Sequence, residues 1–291
     1  MLLSYFFIGM VNCMATIKPS FSMDKINQYL KKYKNITIKA GTYELTSAMK
    51  VYSDATITCE DGVVFKRMHK GRMLQMYVAP ETTGYNGTHN VKWHGGKFIA
   101  NTHSADADVI VIFHCDGIEL DGVTIEGCVG LHSLEINASQ NVTISNCTFI
   151  NQSAKEGEDF REALQIDFAN YDGLSLKNAV GTSPCYDGTH CQHIQINNCN
   201  FGNCPNGIGT HTVSVEEIYH EDIKINNCSF VNMGKAAIKL VGMKDVTITN
   251  CGDAKIIINK LDTAHKLEGG KVQLPNFRYN SDIVIDNIQI K

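Results

Sequence analysis

Apolar residues first follow a helical period. Ile26, Tyr29, Leu30 and Tyr33 fall at i, i+3, i+4 and i+7, which predicts an amphipathic helix over 22–33 with Ser22 as its cap. Beyond it the period becomes 2, the mark of strands whose side chains alternate between two faces. One phrase then keeps returning. It reads Val123-Thr124-Ile125-Glu126-Gly127-Cys128, then Val142-Thr143-Ile144-Ser145-Asn146-Cys147, then Ile194-Gln195-Ile196-Asn197-Asn198-Cys199. Two further copies end at Cys228 and Cys251, Val91, Trp93 and Gly96 suggest a degenerate early copy, and Ile283, Ile285 and Ile288 fill the same slots near the C-terminus.

The Cys slots are separated by 19, 52, 29 and 23 residues, a period in the twenties with one large insertion. Such spacing marks a coiled solenoid. One coil cannot bury its own inner face, whereas stacked coils set like residues above like at ~4.8 Å. Cys128, Cys147, Cys199, Cys228 and Cys251 are then expected in one buried column, acting as small hydrophobes. Asn before Cys suits a bend, because Asn tolerates the left-handed conformation. A β-sandwich also uses short strands, but it does not require the same residue at the same offset in each. The expected fold is all-β: a right-handed parallel β-helix (a solenoid) with the short N-terminal helix capping it.

Composition narrows the class. The chain has 291 residues, 43% hydrophobic and 19% charged, which excludes a disordered polymer and allows a sizeable core. Lys and Arg number 26 against 30 Asp and Glu, a formal charge of -4, without the basic stripe of a nucleic-acid binder. No apolar run reaches the ~20 residues of a membrane span. The 11 Cys lack zinc-ribbon spacing, and an odd count with mostly packing roles favours reduced thiols. The apolar run 2–11 reads either as a secretion signal without its positive leader or as residues upstream of a start at Met14. Residues 1–21 are therefore set apart as an N-terminal segment, and 22–291 are expected to form one β-helix domain with an inserted loop at about 168–192.

The phrase Ile36-Thr37-Ile38-Lys39-Ala40-Gly41-Thr42-Tyr43, followed by a short apolar strand and Asp61-Gly62, resembles the opening of pectate-lyase-like β-helix proteins. The coils from about 105 to 258 resemble those of glycoside hydrolase family 28, the polygalacturonase type, and of bacterial and phage β-helix proteins. The resemblance implies the fold more narrowly than the reaction, because hydrolases, lyases, epimerases and non-catalytic spikes share it. In the polygalacturonase pattern the first catalytic Asp opens a strand reading Asp-Gly-Ile-x-Ile. Glu162-Ala163-Leu164-Gln165-Ile166 stands there, with Glu for Asp. The place of the paired Asp is held by Asn206-Gly207-Ile208, without a carboxylate. Gly-His-Gly is absent, although Gly209-Thr210-His211 supplies a His, and Arg-Ile-Lys is reduced to Ala237-Ile238-Lys239. The family mechanism does not carry over whole.

Aligning inward pairs places Leu134 and Ile136 beside Leu164 and Ile166, then Ile208 and Thr210, then Ile238 and Leu240. The outward rows become Glu135, Gln165, Gly209, Lys239 and Asn137, Asp167, His211, Val241, with His132 and Glu162 at strand entrances. Glu135 and Asp167 then lie roughly 8 Å apart between Cα positions, which suits an acid and a base flanking a water. The expected catalytic residues are Glu162 and Asp167 as acid/base pair, with His211 transferring or orienting a proton. Expected substrate-binding residues are His132, Glu135, Arg161, Tyr186, Asp187 and Lys239.

The segment 168–192 leaves the sheet after Asp167 and is expected to overhang these residues. Cys185, His190, Cys191 and His193 lack a standard zinc spacing, so no metal is assigned. A second long loop is expected over 260–280. The leading expectation is a polysaccharide-cleaving glycoside hydrolase without a cofactor, acting outside the cell or on a virion. A calcium-dependent lyase is the alternative, with Lys239 as base and Glu135, Glu162 and Asp167 holding the ion. A non-catalytic phage or surface carbohydrate-binding β-helix is the third. The expected partner is an oligo- or polysaccharide, neither nucleic acid nor membrane, and side-by-side homotrimers are a further option.

Overall fold

The computed structural model describes residues 11–104, 107–155, 161–169, 183–210, 218–252, 254, 256–261, 267–268, 271–272, 279–280 and 289–290. The chain coils through three sheets. The first runs in chain order from Val11–Ile17 and Tyr33–Ile38 through Ala55–Cys59, His89–His94, Asp116–Asp121, Gln140–Ser145, Gln192–Asn197 and His220–Asn226 to Met243–Thr249 and Gln289–Ile290. The second runs from Gly41–Leu45 to Ser229–Val231, and the third includes Met49–Val51, Leu74–Met76, Ile110–Phe113, Leu134–Asn137, Glu162–Asp167, Asn206–Thr210, Ala236–Val241 and Ile256–Leu261. Successive coils pair in parallel, as in Ile118↔Val142 and Thr124↔Thr148. Within the expected 260–280 loop, Lys260 pairs antiparallel with Asn280 and Leu267 with Val272.

This stacking sets the core between the sheets. Ile36, Ile57, Trp93, Leu120, Ile144, Ile196, Ile225 and Ile248 are register partners in the first sheet, all buried. Each large aliphatic side chain so removed from water contributes about 1.5–3 kcal/mol. In the second sheet Phe149, Phe201 and Phe230 stack with centroids 4.8 and 5.0 Å apart and planes tilted by 9°. Helix α1, Met23–Lys32, buries Met23, Ile26 and Leu30 and packs against Val11–Ile17, Tyr33–Ile38 and Met49–Val51. The Ser22 side chain accepts from the Lys25 amide at 3.4 Å, and Lys31 and Lys32 complement the dipole of the last turn. The strand Val11–Ile17 precedes α1 and extends the first sheet beyond Tyr33–Ile38.

The corners explain the Asn-rich repeat. Asn146, Asn198, Asn227 and Asn250 have φ of 55°, 55°, 53° and 55°. Their side chains form a ladder: Asn198 donates to Asn146 at 3.3 Å and Asn227 to Asn198 at 2.8 Å. A second corner repeats this with Asn151, Asn203 and Asn232. Asn adopts the left-handed turn and satisfies its own amide along the stack.

The register corrects one expected column. Thr124 pairs with Thr148, so this coil is 24 residues long and Val123, not Cys128, stands at the level of Cys147. The phrase 123–128 belongs to the second sheet, whereas 142–147 begins in the first, where Ile118 and Leu120 are its partners. Both sheets use two apolar residues at i and i+2, so the sequence pattern does not tell them apart. Val91 and Trp93 do occupy the early copy, beside Ile118 and Leu120. Ile283, Ile285 and Ile288 lie outside the described residues. The described cysteines are free, and burial pushes the Cys115, Cys128 and Cys191 thiols up to about 12.

Replacing Asn198 tests the corner. Asn198→Val places a β-branched residue in the left-handed region and removes two ladder bonds, an expected loss of about 2–3 kcal/mol. Asn198→Gly keeps the backbone free and is expected to lose about 1 kcal/mol or less, both read from chemical denaturation.

A sealed carboxylate row as the candidate functional site

The register predicted for the third sheet is the one observed. Leu134 pairs with Leu164, Ile136 with Ile166, Leu164 with Ile208 and Ile208 with Ile238. Upstream, Val111 lies between Gln75 and Glu135, and Phe113 pairs with Asn137. One outward row is therefore Gln75, Val111, Glu135, Gln165, Gly209, Lys239. The other contains Phe113, Asn137 and Asp167.

This outward face is closed to water. Glu135, Asn137 and Asp167 are 0% exposed, Gln165 1% and Glu162 3%. Val78, Val111, Phe113, Ala138, Ala169, Cys185 and Tyr186 form a second apolar cluster over it, separate from the main core. Two segments make the cover. The Gly84 amide donates to Asp187 Oδ2 at 2.7 Å, and the Tyr85 hydroxyl donates to the His190 carbonyl at 3.1 Å. Buried His114 bridges them, with Nδ1 on the Gly84 carbonyl and Nε2 on the Cys185 carbonyl at 2.7 Å. Both ring nitrogens thus lie at hydrogen-bonding distance from backbone carbonyl oxygens of the two covering segments. The 183–191 part of the expected overhanging loop thus lies over the sheet; Tyr171 and Asp172 lie outside the described residues.

The expected site residues separate into groups. Glu162 Oε1 accepts from Lys239 Nζ at 2.8 Å, with side chains 4% and 14% exposed. Gly209 makes this reach possible: a Cβ there would lie 2.7 Å from Glu162 Cγ. Asp167 is held by the Gln165 amide at 3.1 Å and the Phe168 backbone N–H at 2.8 Å. Glu162 and Asp167 stand five residues apart on one strand, and the Glu162 side chain bends over Gly209, the register partner of Gln165, so that its charge acts on Asp167. Glu135 lies one rung away, beside Gln165, and its Oε1 accepts from Asn137 Nδ2 at 2.8 Å. His132 is buried, its Nδ1 bonded to the Glu162 carbonyl at 2.7 Å, and the Arg161 carbonyl meets the Asn206 amide at 3.4 Å. Tyr186 is buried in the cover, and Asp187 also accepts from the Thr189 amide at 3.0 Å, fixing the turn. His211 lies outside the described residues.

Burial also sets the charge states. Burial raises the Asp167 carboxyl well above the usual carboxylate range, and the Glu162 charge adds to this. His132 is pushed down by burial, and His220, stacked on Phe168 with centroids 4.0 Å apart, is pushed down to about 3. Burial lowers Arg72, against the opposing fields of Asp108, Glu135 and Tyr186. Among the described residues, no three His, Cys, Asp or Glu side chains converge as metal ligands, so Glu135, Glu162 and Asp167 do not form the calcium site of the lyase alternative. Arg72, Asp108 and His114 were missed from sequence. Carrying the strand alignment one coil upstream, to Ile110 and Ile112, was the signal that finds the last two.

A family model described as "Right handed beta helix region" matches residues 85–252. The chain belongs to the right-handed β-helix family. Its pectate-lyase-like architecture is thereby established, including the hand of the coil. This β-helix chain is 26% identical over 212 residues to plasmin and fibronectin-binding protein A of Streptococcus pneumoniae, covering 69% of the chain and 28% of that protein. It thus spans little more than a quarter of that relative. The crystal structure of PfbA, a surface adhesin of Streptococcus pneumoniae, superposes with a TM-score of 0.63 at 20% identity over 78% of this chain and 55% of that one. The catalytic domain of a GH87 α-1,3-glucanase in complex with nigerose gives 0.56 at 12% identity, over 81% and 38%. At such identities the structural likeness is one of fold.

Two outcomes test the sealed row. Asp167 is protonated more readily in the fold than in the unfolded chain. Its contribution to stability is therefore complete below the unfolded carboxylate range and lost as pH rises through the raised value. Asp167→Asn, which mimics the neutral acid, is expected to flatten that decline in melts between acidic and alkaline pH; parallel curves would mean an ionised Asp167. His114→Ala is expected to speed amide exchange across 183–191 with the coils unaffected.

Proposed function

We propose that this chain is a non-catalytic, glycan-binding β-helix of the surface-adhesin kind, acting outside the cell or on a virion surface. The observation that carries the reading is the sealing of the third sheet. A hydrolase presents its carboxylates to an extended sugar chain, whereas Glu135 and Asp167 are fully buried and bonded to their own neighbours. The match to a streptococcal surface adhesin supports a binding role. No helix among the described residues is long and apolar enough to cross a membrane.

One observation favours a second reading, a glycoside hydrolase. Glu135 stands one rung from the strand of Asp167, the Glu162 charge acts on Asp167, and burial raises the Asp167 carboxyl well above the usual carboxylate range. Catalysis would then require the cover to lift. Incubation with a panel of bacterial and plant polysaccharides separates the two. The binding reading expects polymer retained on the immobilised protein, with no new reducing ends and no unsaturated product absorbing in the ultraviolet. New reducing ends that disappear in Asp167→Asn would replace it with the hydrolase.

A further inference from the structure

A groove of about 700 Å³ lies at the helical end of the coil, between Val11–Ile17 and α1. Its walls include Met14, Lys18, Phe21, Lys25, Tyr29 and Lys32, and among the described residues no carboxylate lines it. Met14 is 79% exposed there. The charge is local: residues 11–50 hold seven Lys against Asp24 and Glu44, in a chain of net charge -4. It is also unspent. Lys34, Lys39, Lys92, Lys97, Lys224 and Lys244 each meet an Asp or Glu. Lys18, Lys25 and Lys32 form no ion pair among the described residues.

The aromatic residues place these cations. Lys25 Nζ sits 3.8 Å from the Phe21 centroid and Lys32 Nζ 5.2 Å from that of Tyr33. Phe21, Tyr29 and Tyr33 form a tilted series with 5.1 Å between successive centroids. Ring faces hold an ammonium without neutralising it, so the charge stays available to a ligand. Lys25 and Lys32 are two helical turns apart, ~10.5 Å along the axis. That spacing matches a polymer acidic at every second sugar. Phosphates of a nucleic-acid strand recur every ~3.4 Å and would leave most charges unmatched.

We propose that this groove binds an anionic glycan carrying one carboxylate or sulfate per disaccharide, with Lys18, Lys25 and Lys32 pairing with its acidic groups and Phe21, Tyr29 and Tyr33 forming its apolar wall. The proposal rests on the glycan-binding reading and gives it a site and a substrate class.

The test is retention of the full chain on immobilised hyaluronan, neutral dextran and single-stranded DNA. Hyaluronan is expected to bind, and high salt to weaken it. Lys25→Glu with Lys32→Glu is expected to cost about tenfold or more in affinity, and Lys25→Gln with Lys32→Gln a smaller part, both with a cooperative melt retained. Reversal at exposed Lys70 is expected to change little. Unaltered hyaluronan binding in the double reversal overturns the site and leaves the glycan reading standing. So does retention of dextran alone. Tighter binding to DNA than to hyaluronan overturns the ligand class. If no glycan of either charge is retained, both readings fall.

Discussion

Parallel hydrogen bonding between successive coils, in register, is the constraint on which everything else depends. Each strand offers its backbone groups to the coil above and the coil below, so identical positions must stack. A one-residue slip would turn a buried Ile column outward and bury polar residues in its place. The corner Asn ladders hold against such slips, because each left-handed residue must sit above another and each amide needs its neighbour. Thus the aliphatic columns supply the free energy and the corners fix the alignment that makes the columns continuous.

The same register gives the third sheet its unusual chemistry. Stacking brings Glu135, Gln165, Asn137 and Asp167 onto neighbouring rungs, and within each rung the two polar side chains, two residues apart, bond each other. Because 183–191 is drawn over part of that face by Asp187 and His114, these groups depend on partners within the protein rather than in water, and Asn137 Oδ1 has none among the described residues. Burial then raises the Asp167 carboxyl well above the usual carboxylate range. A carboxyl whose pKa is raised by burial, with a second carboxyl nearby, is what a glycosidase uses and also what a packed polar layer produces without a substrate. Access separates the two, and here the cover is closed. The helical end is the reverse case: its lysines remain in water, with aromatic neighbours and no carboxylate to neutralise them.

Much of this architecture was legible in the residues. The period of 2, the β-branched pairs and the Asn-Cys corners gave the solenoid, and the inward pairs of 134–136, 164–166, 208–210 and 238–240 gave the third-sheet register. Cys128 was misplaced because two adjacent sheets share one apolar pattern, so only the pairing of Thr124 with Thr148 distinguishes them. The expected acid/base pair joined Glu162 to Asp167 by motif position; strand rise alone sets them far apart, and it is the reach of the Glu162 side chain across Gly209 to Lys239 that the sequence pattern does not show.

The sequence by itself determined the repeat, the corner chemistry and which side chains share a row, since these follow from local conformational preference and alternation. Only the tertiary structure decided that the outward face of the third sheet is covered, that Lys239 reaches Glu162 across Gly209, and that Lys18, Lys25 and Lys32 gather around one groove. Those outcomes depend on segments far apart in the chain, such as Gly84 and Asp187, meeting in space. No local pattern encodes such a meeting, because its free energy comes from contacts that exist only once the coils have stacked.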